Sequence, residues 1–282
     1  MKKSLFLLLF CAFATFQINA QLTTPAPSPF SKVDQKIGLT DVSVEYSRPS
    51  KKGREVFGSV VPYNEVWRTG ANAATKITFG DDVNFGGAEV KKGSYALMTK
   101  PGEKTWSIML YPHTSTSWNS YLESGVQPIT INVESVSMPK ETDVETFMIG
   151  FDNLTNQSGM MYLLWERTFV PIDIKVNTDK TVEASIAKVM GGPTANDYFA
   201  AASYYYAEKK DLDKALEWVN TSIEKGNEKY WVLRTKSLIQ ADLGDKKGAI
   251  ETANKSIELA KADDNPEYVR MNEASIAEWK KK

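Results

Sequence analysis

The stretch 203–224, SYYYAEKKDLDKALEWVNTSIE, recurs 34 residues later as 237–258, SLIQADLGDKKGAIETANKSIE. Ser203, Ala207, Asp211, Ala215, Glu217, Asn220, Ser222, Ile223 and Glu224 find the same residue at Ser237, Ala241, Asp245, Ala249, Glu251, Asn254, Ser256, Ile257 and Glu258. Chance at average residue frequencies gives roughly two such matches in a window of that period. A fixed period of this length marks one supersecondary unit that buries a face on its neighbour. Helices are expected near 196–209 and 212–225 in a first repeat (196–229), and near 230–242 and 245–261 in a second (230–263). Ala215 and Ala249 sit where a small side chain lets two helices approach closely.

Outward from the repeats, Val182, Ile186 and Val189 lie at i, i+4 and i+7 behind Thr178, and Gly191-Gly192-Pro193 stops the run. Asn265-Pro266 opens a last helix with Tyr268, Met271, Ser275 and Trp279 on one face. Two repeats alone expose apolar edges, so the helices at 179–190 and 266–281 are expected to be caps. The period and its small residue resemble the tetratricopeptide repeat, and that resemblance implies binding of a protein or peptide rather than catalysis. The groove-facing positions would then be Asp197, Ala200 and Tyr204, followed by Trp231, Arg234 and Leu238. An aromatic beside an arginine suits a protein-binding hot spot. The competing expectation is that Tyr204 and Trp231 pack against the preceding domain.

That preceding domain has a different period. Val42, Val44 and Tyr46 alternate with polar residues, as do Ile129, Ile131 and Val133, and Val170, Ile172, Ile174 and Val176. Gly86-Gly87 and Pro101-Gly102 supply turns between paired runs. About nine strands with hairpin connections are expected over 32–177, without a helix before Asp179. The fold class is therefore α+β in two domains: an antiparallel β-sandwich or jelly-roll-like domain, then a short α-helical solenoid of tetratricopeptide type over 178–282.

The first residues give an address. Met1-Lys2-Lys3 is basic, Leu5 to Phe16 is an apolar run of 12, and Ile18-Asn19-Ala20 ends in a small residue. A signal peptide over 1–20, cut between Ala20 and Gln21, is expected, because a membrane span needs roughly 20 apolar residues. Cys11 leaves with the leader, and a bulky Phe10 before it argues against a lipid anchor. The mature chain would hold no thiol, would be periplasmic or secreted, and would begin with a flexible Pro-rich tail over 21–31.

The densest polar chemistry of the β domain lies at Tyr46–Arg54 (YSRPSKKGR) and Pro62–Asn72 (PYNEVWRTGAN). Arg48, Arg54, Arg68 and Asn72 can donate to a carboxylate, a phosphate or sugar hydroxyls, Trp67 can stack on a ligand, and Trp118 can rim the site. The competing expectation is structural: Arg68 paired with Glu65, and Trp67 in the core. These two segments, with Gly93–Leu97 (GSYAL) and Glu103–Ile108 (EKTWSI), resemble the secreted bacterial family known as domain of unknown function 2911 over roughly 30–175. The resemblance implies an exported, mostly β domain, often followed by tetratricopeptide repeats, and no activity.

Other chemistry is thin. His113 could act as base for Ser115 or Ser117, but neither serine stands in a G-x-S-x-G elbow. One histidine without cysteine argues against zinc, and no carboxylate pair is picked out by spacing. Loss of Lys2 and Lys3 from 34 basic residues leaves 32 against 35 acidic, so no basic footprint for nucleic acid exists. The expectation is a non-enzymatic envelope scaffold without cofactor or metal, meeting a protein or peptide partner through its repeats. A carbohydrate or small anion on the β domain is the alternative, and a His113 hydrolase the outside one.

Overall fold

The computed structural model describes residues 24–189 and 192–281. The expected leader, its cut at Ala20–Gln21 and the first residues of the Pro-rich tail lie outside them. The chain divides into two compact units between Val176 and Asn177.

The first unit contains two antiparallel sheets. One has the order β1 (Phe30–Ile37), β2 (Thr40–Ser47), β3 (Ala71–Phe79), β6 (Gly93–Lys100), β7 (Thr105–Pro112) and β8 (Ile129–Glu134). The other runs β10 (Val144–Asp152), β11 (Ser158–Glu166), β12 (Thr168–Val176), β4 (Val83–Phe85) and β5 (Ala88–Val90), with β9 (Val136–Ser137) also paired to β12. Phe30 and Ser31, expected in the flexible tail, are the first residues of β1 and pair with Ser47 and Tyr46. Just before them, Pro29 O accepts from Arg48 N at 2.9 Å.

Period-two alternation sends Val42, Val44 and Tyr46, and Val170, Ile172 and Ile174, into one cluster fed by both sheets. Its largest fully buried members are Trp106 and Trp165. Truncating either to alanine would cost about 3–5 kcal/mol. The Tyr46 hydroxyl crosses between the sheets, accepting from Ile149 N at 2.8 Å and lying 3.3 Å from Ile149 O.

The central strands of the first sheet are apolar on their other face too. Ala74, Ala96, Met98, Met109 and Tyr111 form a second cluster, capped by Tyr121 and flanked by Val66 and Trp118. Tyr121 belongs to α1 (Asn119–Glu123), a helix that the strand-only expectation for this region omitted. Tyr121 accepts from Thr114 N and Ser115 N and donates to Ser115 O, which ties down the 113–121 segment.

The second unit comprises α2 (Thr178–Val189), α3 (Ala195–Ala207), α4 (Leu212–Glu224), α5 (Tyr230–Asp242), α6 (Lys246–Ala262) and α7 (Pro266–Trp279). The repeated residues take equivalent jobs. Asp211 and Asp245 cap α4 and α6, accepting from Lys214 N and Gly248 N. Ala215 and Ala249 are fully buried. Ser222 and Ser256 are also fully buried, and each donates at 2.7 Å to a carbonyl at the start of the helix preceding its own, Ala195 O and Tyr230 O. Among the described residues, no helix is long and apolar enough to cross a membrane.

Candidate functional site

The segment Val66-Trp67-Arg68-Thr69-Gly70-Ala71-Asn72 is bolted to the first sheet by its neighbours. Trp67 and Thr99 exchange both main-chain hydrogen bonds, at 2.7 and 2.9 Å. The Trp67 indole points into the core, stacked on Trp165 (5.9 Å between centroids, 23° between planes) with the edges of Phe57, Trp106 and Phe147 around it. Its Nε1 donates to Gly70 O at 3.0 Å. Trp67 is therefore a core residue rather than a stacking platform for a ligand.

The turn behind it is strained. Thr69 is fully buried with φ at +54°, a left-handed conformation that a β-branched residue adopts at a cost of about 1–2 kcal/mol. Thr69 Oγ1 lies 3.1 Å from Thr99 Oγ1, and its carbonyl accepts from Thr75 Oγ1 at 2.7 Å. Gly70 follows at φ +153°, where a Cβ would lie 2.9 Å from Ser47 O. Backbone held in such regions clusters at binding and catalytic sites.

Arg68 lies between the locked tryptophan and the strained threonine. Its guanidinium carbon sits 5.5 Å from the centroid of the Trp118 ring, a cation–π arrangement. Its Nε is buried without a hydrogen-bond partner. Glu65, the expected ion-pair partner, is exposed and does not pair with it. Arg68 and Trp118 line a cleft of about 170 Å³ whose other walls are Val60, Val61, Pro62, Val66 and the edge of Trp67, with Glu65 present as well. These apolar walls were not singled out by sequence reasoning. The signal was the Val60-Val61-Pro62 run inside a polar, glycine-containing loop.

The remaining polar residues expected at a ligand site are engaged elsewhere. Arg48 Nε donates to Phe147 O at 2.9 Å, which braces β2 against β10. Arg54 folds back on its own loop, Nε to Lys51 O and Nη2 to Ser50 O. Asn72, itself at φ +61°, donates to Ser47 Oγ at 3.1 Å and Ser28 O at 3.3 Å. Of the residues expected at a ligand site, Arg68 and Trp118 meet directly, and the edge of Trp67 lines the same cleft.

His113 lines a different cleft of about 170 Å³ with Phe30, Glu45, Tyr46, Lys76 and Thr116. Burial pushes its imidazole pKa below the ordinary value, and nearby Lys76 adds to the effect. Lys76 itself pairs with Glu45 at 2.8 Å. Ser115 Oγ accepts from Ser117 N, so the nearby serines serve the 115–121 turn. Among the described residues, no group of three His, Cys, Asp or Glu side chains is placed to hold a metal ion.

The groove positions of the helical unit make internal bonds. Asp197 forms a capping box with Thr194, whose hydroxyl is the main reason the Asp197 pKa is lowered. The Tyr204 hydroxyl donates to Asp179. Arg234 Nη1 lies 3.2 Å from Asn272 Oδ1 on α7, and Asn272 in turn donates to Ser256 Oγ at 2.9 Å. Trp231 packs edge-on to Tyr230 and lines a cavity of about 230 Å³ with Glu228, Lys229, Leu259, Ala262 and Asp263. Leu238 is half-buried and Ala200 exposed.

Neither a curated protein nor a solved structure matches this chain. A family match does cover residues 28–174, which takes in both sheets and the Arg68 cleft. The chain thus belongs to the family described as protein of unknown function (DUF2911).

Proposed function

We propose that this chain is an exported, non-enzymatic binding protein of the cell envelope. In this reading the two sheets form a β-sandwich that takes a small organic anion at Arg68. The helices form a short solenoid of tetratricopeptide type that serves a protein or peptide partner. The observation that carries the ligand site is Arg68: a guanidinium held over Trp118 in a cleft with apolar side chains along one side, its Nε buried and unpartnered. A buried donor left unsatisfied costs about 1–3 kcal/mol, which marks Arg68 as a residue not placed there to brace the fold. The terminal nitrogens of the same guanidinium, rather than the enclosed Nε, would give a bound carboxylate its charge-assisted bonds. The cleft holds a volume equal to roughly six waters at about 30 Å³ each. That is below the roughly 300–1,000 Å³ of pockets for drug-sized ligands. Val60, Pro62, Val66 and Trp118 give it an apolar side, which favours a carboxylate with an apolar tail over a sugar.

Titration calorimetry of the exported chain with isovalerate, its neutral isostere isoamyl alcohol and glucose tests this. Saturable binding of isovalerate alone, lost in Arg68→Met, is the expected result. Binding of the alcohol or of glucose in place of isovalerate would overturn it.

A further inference from the structure

Glu65 and Arg68 stand three residues apart on one loop, and both line the same cleft, yet they do not pair with each other. Arg68 is held instead against Trp118, and Glu65 stays at the exposed rim. Opposite charges that line one cleft without pairing match a ligand that itself carries both charges. Resting on the anion-site reading above, we propose that the ligand is a free α-amino acid with an apolar side chain. Its carboxylate would meet the Arg68 guanidinium, its ammonium would meet Glu65, and its side chain would lie against Val60, Pro62, Val66 and Trp118.

The chemistry of the walls narrows the choice. A phosphate or dicarboxylate brings a second negative charge beside Glu65 and leaves the apolar walls without a partner. A monosaccharide carries hydroxyls all around its ring and would press some of them against Val60, Pro62 and Val66 unpaired. A monocarboxylate without an amine satisfies Arg68 but leaves Glu65 unused. An apolar amino acid uses every wall, and its size suits about 170 Å³. The two charges contribute unequally. Arg68 is half-buried and should dominate affinity, whereas Glu65 is exposed, so water and salt screen its contact.

The test is calorimetric titration of the full exported chain with four probes: leucine, leucinamide, N-acetyl-leucine and isovalerate. Leucine should bind tightest and leucinamide should give no measurable heat of binding. N-acetyl-leucine and isovalerate should bind weaker than leucine by about twofold to fivefold, the range of an exposed ion pair. Isovalerate removes the ammonium without adding bulk, so it separates charge from fit. In Glu65→Gln the preference for leucine over isovalerate should collapse. If isovalerate binds as tightly as leucine to the parent protein, the amino-acid proposal fails and the anion site stands. If leucinamide binds as tightly as leucine, or no carboxylate binds, both readings fail together.

Discussion

Lys210 places its Nζ 3.0 Å from Glu183 Oε1, so a lysine just past the end of α3 grips a carboxylate on α2. The same nitrogen lies 3.0 Å from Asp179 Oδ1, and the Tyr205 hydroxyl donates to Glu183 Oε2 at 2.9 Å. The lysine pKa is raised well above its ordinary value by the Glu183 hydrogen bond, and the Glu183 pKa is lowered chiefly by the same contact. Polar contacts from the α3 end thus hold α2 in place.

Because the Glu183 pKa is depressed on folding, its contribution is present above the ordinary value of 4.5 and is lost as pH falls through the lower folded value. Amide exchange in α2 should therefore accelerate, relative to that in α4 to α6, as pH falls from 4.5 through that lower value. Both side chains reach solvent, so Lys210→Met should cost less than about 1 kcal/mol globally and show mainly as local exchange in α2. Equal acceleration across all the helices would contradict this arrangement.

Arg68→Met keeps the stem against Trp118 and removes a buried donor that lacks a partner. Thermal melting without ligand should show stability unchanged or raised by up to about 1 kcal/mol. A loss above about 2 kcal/mol would mean that the guanidinium braces the fold.

Gly70→Ala should act in the opposite sense. A Cβ at this φ would press on Ser47 O, a backbone atom of β2, so either the turn or the strand must move. A loss of about 1–3 kcal/mol is expected, together with weaker isovalerate binding because Arg68 shifts with the turn. An alanine variant with the parent's melting curve and affinity would refute the close approach.

Ala215→Trp or Ala249→Trp inserts a bulky ring where the repeat has no room. The cost should reach or exceed the upper end of about 1–3 kcal/mol. Far-ultraviolet circular dichroism should register early loss of helix. Near-ultraviolet signals from the Trp67–Trp165 stack should persist, since that stack belongs to the β unit. Simultaneous loss of both signals would show that the two units unfold as one.

The elements were legible wherever a period was long enough to repeat. The inward set of β12 and the helix pairs follow from alternation and from the 34-residue self-match, because burial acts on every second residue of a strand or on one stripe of a helix. α1 escaped because five residues carry barely more than one helical turn, and its anchor, Tyr121, is read only through its bonds to 114 and 115. The site was half legible. Arg68 and Trp118 stood out as residue types, but their meeting is set by the way the 113–121 segment covers the outer face of the sheet, 50 residues from the arginine. Asp197, Tyr204 and Arg234 drew attention as polar or aromatic groups on a presumed groove. The Asp197 bond to Thr194 is a capping box three residues apart that spacing could have shown, whereas the bonds of Tyr204 to Asp179 and of Arg234 to Asn272 depend on three-dimensional neighbours that no spacing rule supplies.

The Trp67–Thr99 main-chain pair has an evolutionary consequence. Arg68 inherits its position from a peptide unit locked to the sheet interior, whereas Val60, Val61 and Pro62 lie on the loop that precedes it. Mutation can therefore reshape the exposed walls of the cleft without displacing the Arg68 charge. Under the proposed ligand reading, a lineage built on this frame would diversify its guests through the exposed positions 60, 62 and 65 and keep one fixed anchor, in the way a socket accepts different keys on a common pin.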